Sequence, residues 1–217
     1  MSSTDDIKIA RFSDVEENSN AKTTLSKIRD YAPNFCIGCG DYAHDTGSSV
    51  VQSWWDNVIK PNIPNMKIYP VMGNHDTGDS AKYQSLFGNS NWVYSFSYKN
   101  IFFLMLNSEA AHSIGSSQYS FALAELKKSV ENPSAVSAEF AAAPVKFRIC
   151  CFHEPIFNSS NHHGPKTTFR EAMAPLFDKY HVDLCLSGHN HNYERTFPIT
   201  YDPSNPSKPK IENDSSE

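Results

Sequence analysis

The sequence predicts a single α/β domain, and three observations carry that expectation. Five short apolar runs have strand length, stretches of helical spacing lie between them, and no shift in composition divides the 217 residues into two units. The runs are Ile7–Phe12, Phe35–Cys39, Ile68–Met72, Phe147–Phe152 and Val182–Leu186. Each is rich in β-branched or aromatic residues without strict alternation, as in strands buried on both faces.

The first helix is expected over Asn20–Tyr31, with Leu25 and Ile28 on one face, and the second over Ser48–Ile59, with Val51, Trp54, Trp55 and Val58. Ser116–Val130 places Phe121, Leu123, Leu126 and Val130 at near-helical spacing; Thr167–Tyr180 does so with Phe169, Met173, Leu176 and Phe177. Strand and helix in alternation argue crossover connections. One stretch breaks the rhythm: Trp92–Tyr98 and Ile101–Leu106 are separated only by Lys99 and Asn100, which predicts a hairpin. Asn132–Pro144, rich in Ala, Ser and Pro, reads as a loop or surface insertion. Residues 1–197 form the expected domain, and 198–217, with Pro198, Pro203, Pro206 and Pro209, an irregular tail.

A formal charge of −5 gives no reason to expect nucleic acid or an anionic membrane as a partner. No run approaches the length of a membrane span. The N-terminus, Met1 to Ile7, lacks the basic start and apolar core of a signal peptide, so the chain as it stands reads as cytoplasmic. The five cysteines, Cys36, Cys39, Cys150, Cys151 and Cys185, are odd in number and sit in apolar runs. That pattern suggests buried thiols, and the Cys36–Cys39 pair is expected to pack in a strand rather than bind zinc.

The chemistry lies after each run. The first leads to Ser13-Asp14, the second to Gly40-Asp41 and His44, and the third to Gly73-Asn74-His75-Asp76. The fourth leads to His153, and the last to Gly188-His189-Asn190-His191. In open α/β sheets, ligands sit beyond the carboxyl ends of the strands. Asp, Asn and His converging there would mix hard oxygen with nitrogen donors, a set suited to Zn, Mn or Fe. For any one motif a turn or a helix cap is an ordinary reading, and Asp14 alone is open between turn and ligand. Five coincident turns are a poor explanation of the set. His112 and His181 lack such context and are assigned no function.

These residues resemble the calcineurin-like metallophosphoesterases, and within them the purple acid phosphatase branch. The family pattern of Asp, Gly-Asp, Gly-Asn-His-Asp/Glu, His and Gly-His-x-His occurs in order from Asp14 to His191. Gly188-His-Asn-His-Asn-Tyr-Glu-Arg195 is similar to the acid phosphatase form. His162-His163 fall where that branch carries a substrate-facing pair. The resemblance implies a metallophosphoesterase-type β-sandwich flanked by helices, built from βαβ units, that holds two divalent metal ions (Fe, Mn or Zn). Asp41 would bridge them. Asp14 and His191 would complete the first site, and Asn74, His153 and His189 the second. His75, oriented by Asp76, would face the substrate phosphate or leaving oxygen. His162 and His163 would bind phosphate or donate a proton, the alternative being a solvated loop. Hydroxide generated at the metals would attack phosphorus in line.

Three features depart from the pattern. His44 stands where the purple enzymes carry an iron-binding tyrosine, which implies a colourless site with two divalent ions and His44 either a ligand or a neighbour. Glu16 replaces the family's His or Gly two residues after the first Asp, and is open between ligand, bond to a metal water and solvent. The chain stops soon after Gly-His-x-His, so it reads as a fragment or as a reduced form lacking the C-terminal strands. Its open sheet edge could be covered by a second copy. Hydrolysis of small phosphate monoesters is the leading expectation. A phosphodiesterase or nucleotide hydrolase is the enzymatic alternative, and a non-catalytic scaffold the alternative of another class.

Overall fold

The computed structural model describes residues 6–138, 140 and 144–212. Its frame is two facing sheets with helices on both outer sides. The first sheet has three parallel strands, β1 (Ile9–Phe12), β2 (Phe35–Gly38) and β3 (Ile68–Pro70), in that order. The second has four, β4 (Tyr94–Tyr98), β5 (Ile101–Met105), β6 (Phe147–Cys151) and β7 (Leu184–Leu186), also in order. β4 and β5 form the expected antiparallel hairpin, and β5, β6 and β7 run parallel. The strands coincide with the apolar runs, trimmed by a residue or two at the ends.

Strand alternation explains why the runs are apolar throughout. Phe35, Ile37, Ile101, Phe103, Met105, Ile149 and Cys151 point into the space between the sheets. There Phe35 meets the rings of Tyr69, Phe96, Tyr98 and Phe103 edge-on. The residues between them point outward. Phe12, Cys36 and Ile68 pack under α1 (Ser19–Tyr31) and α2 (Ser48–Trp54), against Leu25, Val51 and Trp54. Phe102, Leu104 and Cys150 pack under α4 (Ser117–Glu131) and α5 (Thr167–Lys179), against Leu126, Phe169, Met173 and Phe177. Both faces of each sheet are therefore covered. Cys36 belongs to one layer and Cys39 to another; both are buried and free, and burial lifts the Cys36 thiol to about 12. They pack as small hydrophobes.

Four local features differ from the expectation or add to it. α2 widens into a π turn over Trp55–Ile59 before the helical Lys60–Asn62. Pro61 lies in that last segment, and its ring cannot sit in the interior of an undisturbed α-helix. After β3 the chain makes a 3-10 turn (Asn74–Asp79) and α3 (Ser80–Phe87), neither of which was expected. Within Asn132–Pro144, Pro133–Ala135 is a 3-10 turn and Phe140 is buried; residues 139 and 141–143 lie outside the described residues. In the stretch expected to be irregular, Ile199–Thr200 (β8) pairs with Lys210–Ile211 (β9). Residues 1–5 and 213–217, parts of the N-terminal and tail readings, also lie outside the described residues. No helix among the described residues is long and apolar enough to cross a membrane.

Candidate metal centre

Five parallel strands, β1, β2 and β3 from one sheet and β6 and β7 from the other, point their carboxyl ends at one rim of the sandwich. Asp14, Asp41, Asn74, His153 and His189 are the residues they deliver there. Backbone bonds carry the pairing within each sheet on to this rim, and the His189 N–H crosses between the sheets to Asp14 Oδ2 at 3.0 Å. Asp14 N–H donates to the Gly40 carbonyl at 3.1 Å, and Gly188 N–H to the His153 carbonyl at 2.8 Å. The turns are tight enough that five site residues, Asp14, Asp41, His44, His189 and His191, have φ between 51° and 74°. That left-handed conformation is unfavourable without glycine and concentrates at functional sites. Two glycines fit because nothing larger would: a Cβ on Gly73 would collide with Asp41 Oδ1, and one on Gly188 with the Ser13 hydroxyl.

The inner part of the site converges on one nitrogen. The fully buried His153 donates from Nδ1 to the Cys39 carbonyl at 2.7 Å, which leaves Nε2 as a lone pair in the neutral ring. Around Nε2 lie Asp41 Oδ2 at 3.1 Å, Asn74 Oδ1 at 3.1 Å and His189 Nδ1 at 3.2 Å. Burial alone would raise the Asp41 carboxyl and lower the His153 imidazole. The bond between them overrides both, holding Asp41 below its ordinary value and pushing His153 up to about 9. His189 is lowered by burial and by the charge on His153.

The outer part is more open. His191 Nε2 lies 3.3 Å from Asp14 Oδ1, and His44 Nε2 lies 3.8 Å from Asp41 Oδ2. Asp14, His44 and His191 offer ligand atoms within 4.8 Å of one another; so do Asp41, His153 and His189, and so do Asp41, His44 and His75. Asp14 Oδ1 and His44 Nε2 are buried atoms with no hydrogen-bond partner among the described residues. Buried polar atoms without a partner are costly, and two that face a cluster of lone pairs fit a cation. The donor set, carboxylate, amide oxygen and imidazole, is one that divalent transition metals accept.

Asp76 corrects an expectation. Its buried carboxylate does not reach the His75 ring; it accepts from the N–H groups of Asp41 (2.8 Å), Gly73 (2.8 Å) and Tyr42 (3.0 Å). Burial lifts it to about 7 despite those donors. Asp76 thus shapes the turn that aims Asp41. The His75 ring is placed instead by its Nδ1, 3.2 Å from the His44 carbonyl, and by stacking on His44 with centroids 4.0 Å apart. The nearby phenol is no substitute for the tyrosine that His44 replaces. Tyr42 points into the core, its hydroxyl 2.9 Å from the Gly38 and Val71 carbonyls, and burial raises it well above its ordinary value. Exposed Glu16 is 3.9 Å from His44 Nδ1, beyond hydrogen-bond reach.

His162 and His163 arrive on the loop between β6 and α5. The His163 ring lies 4.3 Å from that of His189, and the His162 ring 6.3 Å from that of His191. The loop therefore brings the pair to the rim. His112 instead braces a loop, with Nδ1 2.7 Å from the Ala110 carbonyl and Nε2 3.0 Å from the Thr168 hydroxyl. Sequence reasoning missed Ser13, whose hydroxyl donates to Asp14 Oδ2 at 2.5 Å. It also missed Glu194 and Lys166, which tie the histidine loop down. Glu194 stands inside the Gly188–Arg195 motif, whereas Lys166 has only its nearness to His162-His163 as a sequence signal.

A layered sandwich with polar strand ends gathered at one rim is the architecture of a family that the sequence itself identifies. The calcineurin-like phosphoesterase family model matches residues 7–193, and the chain belongs to that family. Among its curated relatives are purple acid phosphatases of Arabidopsis thaliana. Purple acid phosphatase 18 is 29% identical over 94% of this chain and 48% of its own length, and purple acid phosphatase 23 is 24% identical over 92% and 50%. The chain spans about half the length of the curated relatives it matches. Among solved structures, purple acid phosphatase PPD1 from yellow lupin superposes with a TM-score of 0.69 at 21% identity, over 89% of this chain and 39% of that one. GAP50, described as the anchor in the inner membrane complex of Plasmodium, superposes at 0.62 and 17% identity, over 91% and 69%.

Proposed function

We propose that the chain hydrolyses small phosphate monoesters with two divalent metal ions. The observation that carries the reading is the crowd of lone pairs at His153 Nε2. Asp41 Oδ2, Asn74 Oδ1 and His189 Nδ1 all face it within 3.2 Å, and one proton cannot satisfy that set. Asn74, His153 and His189 would hold one ion, Asp14, His44 and His191 the other, with Asp41 between them. When bound, the ions would supply positive charge for a phosphate dianion and a water acidic enough to act as nucleophile.

The protein's own groups supply the rest. Cys39 fixes the His153 ring, and Asp76 fixes the backbone that presents Asp41. His75, exposed and stacked on His44, stands where it can donate to a phosphate oxygen or a leaving oxygen. His162 and His163 add donors at the rim, which favours a dianionic monoester over a diester. A non-catalytic role is the reading of another class, and the likeness to an anchor protein supports it at the level of fold alone.

Metal analysis of the purified chain, with hydrolysis of p-nitrophenyl phosphate and of bis(p-nitrophenyl) phosphate, separates the readings. Two ions per chain and faster cleavage of the monoester are expected. Faster cleavage of the diester would move the proposal to phosphodiesters, and no turnover with any added metal would overturn it.

A further inference from the structure

The loop that carries His162 and His163 has no regular structure between Pro155 and Lys166, yet it is tied at both ends. At the base, Lys166 N–H donates to the Pro155 carbonyl at 2.9 Å. The Lys166 ammonium lies 2.5 Å from Glu154 Oε1 and 3.8 Å from Glu109 Oε2. At the crown the tie is Glu194, whose Oε1 and Oε2 accept from the Ser159 N–H at 2.9 and 3.2 Å. Two local bonds continue from there. Ser160 N–H donates to Asn158 Oδ1 at 3.1 Å, and His162 N–H donates to the Ser160 hydroxyl at 3.1 Å.

Glu194 stands three residues after His191, on the segment that also carries His189. Its carboxylate therefore links the segment bearing two candidate metal ligands to the loop bearing two candidate phosphate donors. Glu194 and Ser159 are both exposed, so the bond adds little to global stability. Its effect is on the order of a short irregular loop, where one charge-assisted bond to the backbone removes much of the freedom.

We propose that Glu194 is a positioning residue, fixing the crown of the 155–166 loop to the His189–His191 segment and thereby setting where His162 and His163 meet a phosphate. The inference rests on the phosphatase reading, but part of its test does not. Glu194→Ala and Glu194→Gln are compared with wild type as full, metal-loaded chains. Amide hydrogen exchange across Ser159–His163 is expected to quicken about tenfold in Glu194→Ala, with metal content unchanged, and to return toward wild type in Glu194→Gln, which keeps an acceptor oxygen. KM for p-nitrophenyl phosphate and the inhibition constant of inorganic phosphate are expected to rise about tenfold in the alanine variant, with kcat moving less. Unchanged exchange would overturn the proposal, as would faster exchange with wild-type KM and phosphate inhibition. Should wild type hydrolyse nothing, the phosphatase reading falls by itself. Calorimetric titration with inorganic phosphate then decides: weaker binding by Glu194→Ala sustains the positioning role, and equal or absent binding in both chains ends it.

Discussion

The two halves of the candidate metal centre are built differently. The inner half, Asp41, Asn74 and His153 with His189, is backed by buried structure: Cys39 holds the His153 ring, and the His75 N–H donates to Asp41 Oδ1 at 2.9 Å. The outer half, Asp14, His44 and His191, has an exposed histidine, a half-buried one and orphaned donor atoms. Loss of water and prior fixing of side chains would make the inner half a preformed cation site, whereas the outer half would depend on the cation to complete it. Preorganisation, rather than the count of ligands, separates them.

Ligand removal tests that contrast with the largest effect. Asn74→Ala or His153→Ala is expected to cut metal-dependent turnover by more than about a hundredfold, the upper end of what outer-shell partners are worth, and to lose tight metal binding. His191→Ala should lose turnover as well but retain about one ion per chain by elemental analysis. Equal metal loss from both variants would erase the distinction between the halves.

A pH series of the metal-free protein follows. The His153 imidazole, raised to about 9 from an ordinary 6.5, contributes stability that is complete below 6.5 and is lost as pH rises through about 9. Asp41, held low, contributes above its ordinary value of 3.8, and that contribution is lost as pH falls below it. The metal-free melting temperature should therefore fall by a few degrees between pH 6.5 and 9. Added metal needs His153 unprotonated, so its stabilising shift should grow over the same range. A metal-free melting curve that rises toward pH 9 would contradict the inner-site account.

His44→Tyr sharpens the outer half. A phenolate in that place should favour ferric iron and give a visible absorption band that the wild-type chain, loaded with iron, is expected to lack. Tyr42→Phe is the smallest change. It removes one buried hydroxyl whose partners are the Gly38 and Val71 carbonyls and is expected to cost about 1 kcal/mol in denaturant unfolding, with no change in metal content.

The strands and the strand-end motifs were legible because burial on both faces leaves a plain apolar signature and because every candidate ligand follows a strand. Asp14 to His191 could thus be placed around one rim before any coordinates. What could not be read was how neighbours divide the work. Asp76 stands next to His75 in sequence, yet its carboxylate turns back to three backbone N–H groups. The helix after Asn74 escaped notice because Thr77-Gly78-Asp79 resembles a loop and the helix is short. Glu194 and Lys166 act across sequence separations of 35 and 12 residues, and no local pattern announces such pairings.

The left-handed backbone at Asp14, Asp41, His44, His189 and His191 has a consequence for how such a protein changes over time. Each position carries strain of about 1 kcal/mol or more that glycine would relieve; at Asp14 and Asp41 the bonds their carboxylates accept offset that relief, whereas exposed His191 has least to lose. A descendant with no constraint on this rim would be expected to drift toward glycine or asparagine at His191 first.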